Sequence, residues 1–261
     1  MRVFLLPIGA RRLALLVFLA SVGSFLKGQQ QKQEEVQKAV DFLVKTTLVF
    51  ETASTPGTKM ELREASRTRI DGRLVVAYKI HVTGAPQDQS YAALDWPVNQ
   101  PEPRVLAPQA YIAEDGQLCA GVGQSGPCKS PIQIRIEPLK GEPLRFMIVT
   151  EDQKTRVVTL VIPDPITGTD RGCSLEAIRL QPKFESALIR GKGFKPNEKF
   201  KYSSNSAGEV IHETVTINEK GELFLVMLPA VKNKTTGNDR IEFKASNCSP
   251  VISFKWGTLE E

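Results

Sequence analysis

The sequence contains few of the residues that metal sites and catalytic triads require. Among 261 residues only two are histidines, His81 and His212, and the four cysteines include no Cys-x-x-Cys pair. A structural zinc site is therefore disfavoured. Both histidines fall on the polar phase of their segments, with no serine or acid placed to tune either as a general base. We predict a non-enzymatic protein with no catalytic residue, no metal and no cofactor.

A nucleotide-binding loop is not predicted either, although the chain contains a segment that matches the sequence pattern of such loops. Gly121-Val122-Gly123-Gln124-Ser125-Gly126 spells the dinucleotide-binding pattern. That pattern works where glycines end a strand and open a helix that faces a pyrophosphate. Here Pro127 and Cys128 follow at once, and no strand–helix–strand unit surrounds them. A loop closed by a disulfide is the favoured interpretation.

The N-terminus carries an apolar run that is too short to span a bilayer comfortably. Leu13–Leu26 is broken only by serine and glycine, and three arginines and no acid precede it. This arrangement is typical of a secretory signal. We predict a signal peptide over residues 1–28, cleaved after Gly23, because Ser21 and Gly23 place small side chains at the cleavage positions. The alternative is an uncleaved anchor. A cleaved chain would be secreted or periplasmic, with no transmembrane segment.

More than half of the net positive charge belongs to residues 1–23. The chain has 34 Lys and Arg against 29 Asp and Glu, a net charge of +5. Residues 1–23 hold three arginines and no acid, which leaves 31 against 29 and a net charge of +2. A chain so nearly balanced gives no reason to expect nucleic acid as a partner.

The cysteines are expected to be oxidised, because an exported chain meets oxidising conditions. Three pairings are possible for four cysteines. Spacing favours Cys119 with Cys128, which closes a small loop, and Cys173 with Cys248, which ties the start of a domain to its end. Chain entropy predicts roughly 2.5–3 kcal/mol for the short loop and roughly 4–5 kcal/mol for the long one.

Residues 29–46 are predicted to form a short helix. A glutamine-rich start is followed by Val36, Val40, Leu43 and Val44 at helical spacing. A disordered spacer is the alternative.

Residues 47–165 are predicted to form an antiparallel β-sandwich domain. The strongest signal is the hairpin in which Asp71-Gly72 joins Thr68–Ile70 to the alternating run Arg73–Val82. Pro97–Pro108 contains four prolines and is expected to be a loop or an edge segment. The other strand candidates are Tyr91–Trp96, Ala110–Ile112, Gln117–Cys119, Ile132–Glu137, Leu144–Thr150 and Arg156–Ile162.

Residues 163–172 combine prolines, glycines and polar residues and are predicted to be a domain boundary. The following residues, 171–257, have the size and the strand number of an immunoglobulin-like sandwich. Asn218-Glu219-Lys220-Gly221 predicts a hairpin turn within it. The strand candidates are Leu175–Leu180, Ala187–Arg190, Lys199–Ser203, Glu209–Ile217, Glu222–Leu228, Arg240–Ala245 and Val251–Trp256.

The segment from Ala187 to Glu198 contains Arg190-Gly191-Lys192-Gly193-Phe194, followed by Pro196-Asn197-Glu198. It resembles the opening of bacterial extracytoplasmic Ig-like repeats of the IPT/TIG type. In those repeats a strand ends in Gly-x-Gly-Phe and a Pro-x-Glu turn leads to the next strand. The resemblance covers about a third of the chain and implies a recognition or spacer domain, with no functional residues to transfer. The Cys173–Cys248 pair departs from the commoner repeats.

Four aromatic residues could stack on a sugar, and of these Trp96 and Tyr91 are the candidates for ligand stacking, although aromatics in sandwiches are usually core anchors. Asn233-Lys234-Thr235 and Asn247-Cys248-Ser249 fit the glycosylation pattern. Asp164, Asp170 and Glu176 could offer oxygens to calcium, but linker solvation is favoured because no calcium-loop spacing is present.

Taken together, these features predict a mainly β protein of two antiparallel sandwich domains, the second Ig-like, behind a signal peptide and a short helix. The predicted role is binding or scaffolding of a protein or glycan at the cell envelope or in the extracellular space. The loops 119–128 and 232–239 are expected to provide contacts, because loops on a rigid frame usually carry recognition. The alternative is a secreted carbohydrate-binding module or a hydrolase, with Asp95, Glu114 and Asp115 as the acids to test.

Overall fold

The computed structural model describes residues 50, 53–98, 100, 102–122 and 127–259. The predicted signal peptide and the predicted helix at 29–46 lie outside these residues. The described residues belong to one compact unit, Val44–Glu261. In this part of the chain no helix is both long and apolar enough to cross a membrane.

The elements bounded within the described residues are sixteen β-strands. The first eight are β1 (Lys59–Ile70), β2 (Arg73–Thr83), β3 (Tyr91–Trp96), β4 (Arg104–Ile112), β5 (Leu118–Ala120), β6 (Gln133–Ile136), β7 (Leu144–Thr150) and β8 (Arg156–Val161). The others are β9 (Ile166–Asp170), β10 (Cys173–Arg179), β11 (Ala187–Lys192), β12 (Lys199–Ser206), β13 (Glu209–Thr216), β14 (Leu223–Met227), β15 (Gly237–Lys244) and β16 (Val251–Trp256). The mainly β prediction is confirmed.

Strands β1–β8 form two antiparallel sheets that enclose one core, which we call the first sheet pair. The sheets have the orders β1-β2-β6 and β5-β4-β3-β7-β8. The alternation predicted for β2 is present, because Val76, Tyr78 and Ile80 are buried on one side. They pack against Phe146 and Ile148 of β7. Such one-sided burial is what holds two antiparallel sheets face to face.

Strands β9–β16 form the second sheet pair, with the orders β14-β11-β10-β9 and β13-β12-β15-β16. Its core is rich in aromatic rings. Phe194 stacks on Phe200 with ring centroids 5.4 Å apart, and Tyr202 stacks on Phe243 at the same distance. Offset ring pairs of this kind add stability beyond the area they bury.

The predicted turns and the Gly-x-Gly-Phe corner take the conformations that their sequences require. Asp71 and Gly72 both have positive φ, 50° and 82°, as a two-residue hairpin turn needs. Gly193 also has positive φ, and a Cβ there would collide with the carbonyl oxygen of Gly172. Phe194 fills the end of the core. Asn218 Oδ1 accepts from the backbone N–H of Lys220, which closes the other predicted turn.

Three strands differ from the expectation. β1 is twelve residues long rather than three, most of its residues are exposed, and half of them are charged. β4 runs through Pro108, where the pairing with β3 shifts register. A bulge leaves a residue unpaired, so proline is tolerated there. β9 lies inside the predicted boundary 163–172 and pairs with β10.

The exposed edge strand β1 carries a row of ion pairs. Lys59 and Arg63 both contact Glu61, and Arg67 contacts Glu64 at 2.7 Å. A charged edge discourages pairing with a further strand, so β1 can remain long and unpaired on its outer side.

A short junction links the two sheet pairs. The backbone N–H of Gly141, in the β6–β7 loop, donates to Asp164 O, and the N–H of Arg179 donates to Gly141 O, both at 2.7 Å. The buried Arg179 guanidinium also donates to Lys140 O and Pro182 O. Burial lowers the pKa of Arg179 to about 10. The carbonyl oxygens around the guanidinium compensate part of its lost hydration.

Both predicted disulfides are present. Cys119–Cys128 joins Cα atoms 5.8 Å apart, and Cys173–Cys248 joins Cα atoms 6.2 Å apart. The first lies in a small cluster with Tyr111 and Ala113. Cys173 and Cys248 belong to the main core of the second sheet pair.

Candidate ligand-binding face

The outward positions of the sheet β13-β12-β15-β16 form one exposed polar surface. Alternate residues such as Phe200 and Tyr202 point into the core, so the residues between them point outward. The strand register places the outward residues of neighbouring strands side by side. We call this surface the cationic face. Its members are Lys199, Lys201, Ser203 and Asn205 of β12, Val210, His212, Thr214 and Thr216 of β13, Asn238, Arg240, Glu242 and Lys244 of β15, and Val251, Ser253 and Lys255 of β16.

Five of these side chains are cationic and one is anionic. The carboxylate of Glu242 lies 3.2 Å from the Arg240 guanidinium and 3.8 Å from the Lys244 ammonium. No other position of the face carries a carboxylate. A local excess of one sign attracts counter-charged ligands even when the net charge of the protein is small.

Two lysines of the face stand directly opposite each other. The antiparallel register pairs Lys201 of β12 with Lys244 of β15. Like charges in facing positions of a sheet are destabilising. An anion bound between them would relieve that repulsion.

A groove of about 600 Å³ crosses one end of the face. Asn205, Asn238 and Ser253 supply amide and hydroxyl groups to its lining, and Lys140 and Arg179 of the junction also line it. A volume of this order suits a small ligand or a short stretch of a polymer. The groove therefore combines hydrogen-bonding groups with cationic residues.

A buried polar network supports the inner side of the same sheet. Asp239 is fully buried, and its Oδ1 accepts from Ser204 Oγ at 2.7 Å. Asp239 Oδ2 has no hydrogen-bond partner within the described part of the chain. Burial raises the pKa of the Asp239 carboxyl. Nearby, Ser206 Oγ accepts from Trp256 Nε1 and donates to Pro229 O. These bonds fix β12 and β15, which carry most of the face.

Tyr91 and Trp96, the two residues predicted to stack on a ligand, lie in the first sheet pair, and other residues of the chain contact most of their surface. Tyr91 is 1% exposed, and its hydroxyl donates to Pro86 O, so it offers no free ring face. Burial raises its pKa to about 12. Trp96 is partly exposed, but the Arg145 guanidinium lies 4.9 Å from its ring centroid. Its indole N–H donates to Gln100 O. Tyr91 acts as a core anchor, and Trp96 retains only part of its surface for a ligand.

The acids of the hydrolase alternative do not come together with a histidine side chain. Asp95 is buried, and its carboxylate accepts two hydrogen bonds from Arg104, at 2.5 and 3.1 Å. Asp115 accepts from the backbone N–H of Gln117. His81 Nε2 lies 2.7 Å from the carbonyl oxygen of Asp115, not from its carboxylate. Glu114 is exposed. Asp95 and Asp115 thus have structural partners.

A smaller cavity of about 180 Å³ is lined by four prolines and by Asp95 and Glu142. Burial raises the pKa of Glu142, and its Oε2 accepts from the backbone N–H of Leu139. Of the three carboxylates that line this cavity, Asp95 is paired with Arg104, Glu142 accepts from the Leu139 N–H, and Glu137 lies 3.7 Å from the Arg73 guanidinium.

Two of the three calcium candidates, Asp170 and Glu176, have partners within the protein. Asp170 accepts from the backbone N–H of Ser249, and Glu176 pairs with Arg190 at 2.7 Å. Within the described ranges, no group of three or more His, Cys, Asp and Glu could hold a metal ion.

The two glycosylation motifs differ in exposure. Asn233 is exposed on the β14–β15 loop with φ 64°. The side-chain amide of Asn247 donates to Gly193 O and contacts Cys173 Sγ. Of the two, only Asn233 offers an exposed side-chain amide.

The cationic face is not visible in the charge of the whole chain, which is nearly balanced. Lys201 and Lys244 are far apart in sequence and become neighbours only through the β12–β15 register. The available signal was the alternation within each strand, which places Lys199 and Lys201 on one side of β12 and Arg240 and Lys244 on one side of β15.

Comparison with known proteins gives little guidance. No protein-family model matches the chain, and no curated protein matches it significantly. One solved structure similar to part of it is described as a tetra-tandem repeat in the extending region of a large adhesion protein. The match has 14% sequence identity and a TM-score of 0.24, and it covers 78% of this chain and 48% of that chain. The chain thus spans about half the length of that structure. At this TM-score the likeness carries no argument about role.

Proposed function

We propose that this chain is a non-enzymatic binding or scaffolding protein that works at the cell envelope or in the extracellular space. The observation that carries the proposal is the cationic face with its groove. It is an exposed surface that carries hydrogen-bonding groups and five cationic side chains, and the core beneath it contains a disulfide. A rigid frame presenting an exposed polar surface is the usual basis of recognition without catalysis.

We also propose that the protein is exported from the cytoplasm. Two disulfides and no free cysteine in the described chain suit an oxidising compartment. The signal peptide predicted at residues 1–28 would direct the chain to the periplasm or out of the cell.

We also propose that the two sheet pairs are separate sandwich domains and that the second is Ig-like. In the second pair, β14-β11-β10-β9 faces β13-β12-β15-β16, and each sheet contributes to one core. Two antiparallel sheets of this size and strand number support an Ig-like assignment. Expression of residues 163–259 alone would test it. A cooperative unfolding transition supports a separate domain, and an unfolded fragment contradicts it.

The binding role is tested by blocking the groove. We expect the purified chain to retain a partner or glycan from envelope extracts, and Ser253→Trp to lose it, because the new ring fills the groove. Thr169→Trp, on the exposed outer side of β9 in the other sheet, is the matched control and should bind normally. Equal retention by both variants, or no retention by the unmodified chain, would contradict the proposal.

The alternative is a carbohydrate-binding module that uses Trp96, or a hydrolase. Its supporting observation is that Trp96 stays partly exposed near the smaller cavity. Glycan binding lost in Trp96→Ala would favour the module. An activity lost in Asp95→Asn, Glu114→Gln or Asp115→Asn would favour the hydrolase.

A further inference from the structure

We propose that the ligand of the cationic face is a linear acidic polysaccharide, whose carboxylate or sulfate groups lie along the outward side chains of β12 and β15. This inference rests on the proposed binding function and names its ligand class.

The charge distribution supports an anionic ligand. Lys199 and Lys201 lie on one strand, and Arg240 and Lys244 lie on the strand hydrogen-bonded to it. Outward residues two apart are separated by about 6.6 Å along a strand. Lys199 and Lys201 have this spacing, whereas Arg240 and Lys244 are four residues apart, with Glu242 between them and ion-paired to both. Cations distributed along two neighbouring strands favour an extended polyanion over a single small anion, because several charges are held at once.

The neutral members of the face support a sugar backbone. Asn205 faces Arg240, and Ser253 faces the same arginine from β16. Asn238 lies beside Lys255. Amide and hydroxyl groups set between cations can bond the hydroxyls of a sugar while the cations pair with its acid groups.

Nucleic acid and membrane surfaces fit the face less well. The Phe, Tyr and Trp rings of these four strands, including Tyr202, Phe254 and Trp256, are all buried on the inner side. A single-stranded nucleic acid needs exposed rings on which bases stack. Insertion into a bilayer needs apolar side chains, and the face offers only Val210 and Val251.

The test compares charge reversal on the face with charge reversal elsewhere. The test variant is Lys201→Glu with Lys244→Glu. The matched control is Lys192→Glu with Lys220→Glu, which makes the same change at exposed positions of β11 and the β13–β14 turn. Circular dichroism and melting temperature check that both fold. Lys201→Gln with Lys244→Gln removes the charge without reversing it.

Binding is measured by calorimetry with polygalacturonate, with a sulfated polysaccharide (heparin), with neutral dextran, with DNA and with phosphatidylserine vesicles. We expect polygalacturonate or heparin to bind the unmodified chain and the control equally, and to bind the reversal variant at least about tenfold more weakly. The neutralised variant should fall between them. Binding should weaken as salt rises, dextran should not bind, and the bound polyanion should raise the melting temperature.

The outcomes separate this inference from the proposed function. Equal binding by the reversal variant and the control overturns the inference, as does tighter binding of DNA or vesicles than of either polysaccharide. If the groove-blocking variant loses an envelope partner while no acidic polysaccharide binds, the ligand class is wrong and the binding function stands. If the unmodified chain retains nothing from extracts and binds no probe, both are wrong.

Discussion

The two sheet pairs bury similar cores but are stabilised by different means. The first buries Asp95, which is paired with Arg104, and its disulfide closes a small loop outside its main core. The second has its disulfide within the core and keeps a buried carboxylate, Asp239, between its sheets. The two pairs therefore differ in where the disulfide lies and in how the buried carboxylate is satisfied, because Asp95 pairs with Arg104 whereas Asp239 accepts from Ser204 and leaves Oδ2 without a partner among the described residues. Four substitutions test this difference.

Loss of the Cys173–Cys248 bond should have the largest effect. The bond spans 75 residues, so replacing both cysteines by serine should lower the free energy of unfolding by about 4 kcal/mol. Urea unfolding of a Trp96→Phe background, followed by Trp256 fluorescence, would report on the second pair. A loss below about 1 kcal/mol would mean that the aromatic core stabilises the second sheet pair without the disulfide.

Arg179→Met should come next, because it leaves the buried carbonyl groups of Lys140 and Pro182 without their charged donor. We expect a loss of about 3 kcal/mol. Arg156→Met, at an exposed position of β8, is the control and should change stability little. Hydrogen exchange should show faster exchange on both sides of the junction. Faster exchange confined to one sheet pair would contradict a linking role.

Replacing Cys119 and Cys128 by serine should cost less, about 2.5 kcal/mol, since their sequence separation is only nine. Hydrogen exchange should increase near β4 and β5 and stay unchanged in β9–β16. Faster hydrogen exchange in β9–β16 of this variant would contradict the difference between the two sheet pairs.

Asp239→Asn should have the smallest effect, and one that depends on pH. The folded-state pKa of Asp239 is raised by burial, so ionisation is harder in the folded chain than in the unfolded one. The unmodified protein therefore loses stability as pH rises from about 4 through the raised pKa, at most about 1.4 kcal/mol per pH unit. The Asn variant lacks this loss. Unfolding free energies at pH 4, 5, 6 and 7 should diverge between the two, and parallel curves would show that the carboxyl titrates normally.

Much of the fold could be predicted where local chemistry alone determines structure. The Asp71-Gly72 turn, the alternation of β2 and both disulfide pairings follow from residue type and spacing. β1 was largely missed because charged residues fill both of its sides, so no apolar period reveals it. β9 was missed because a short strand within a proline- and glycine-rich segment carries a loop-like composition.

The candidate site was harder to predict than the fold. Its charges lie on strands that are distant in sequence, and only pairing brings Lys201 opposite Lys244. Tyr91 shows the opposite problem. An aromatic side chain can stack on a ligand, but Tyr91 is buried in the core. Its burial depends on contacts with other strands, which the sequence of one strand does not reveal.

The Cys173–Cys248 bond also determines how the protein would respond to mechanical force. When tension is applied to the chain outside Cys173 and Cys248, the disulfide carries the force. The segment between the two cysteines, whose sequence separation is 75, is then not stretched. Stretched out, those residues would add about 250–270 Å of contour length. An optical trap should therefore record a short extension for the second sheet pair under oxidising conditions, and the missing length should appear only after a reductant is added.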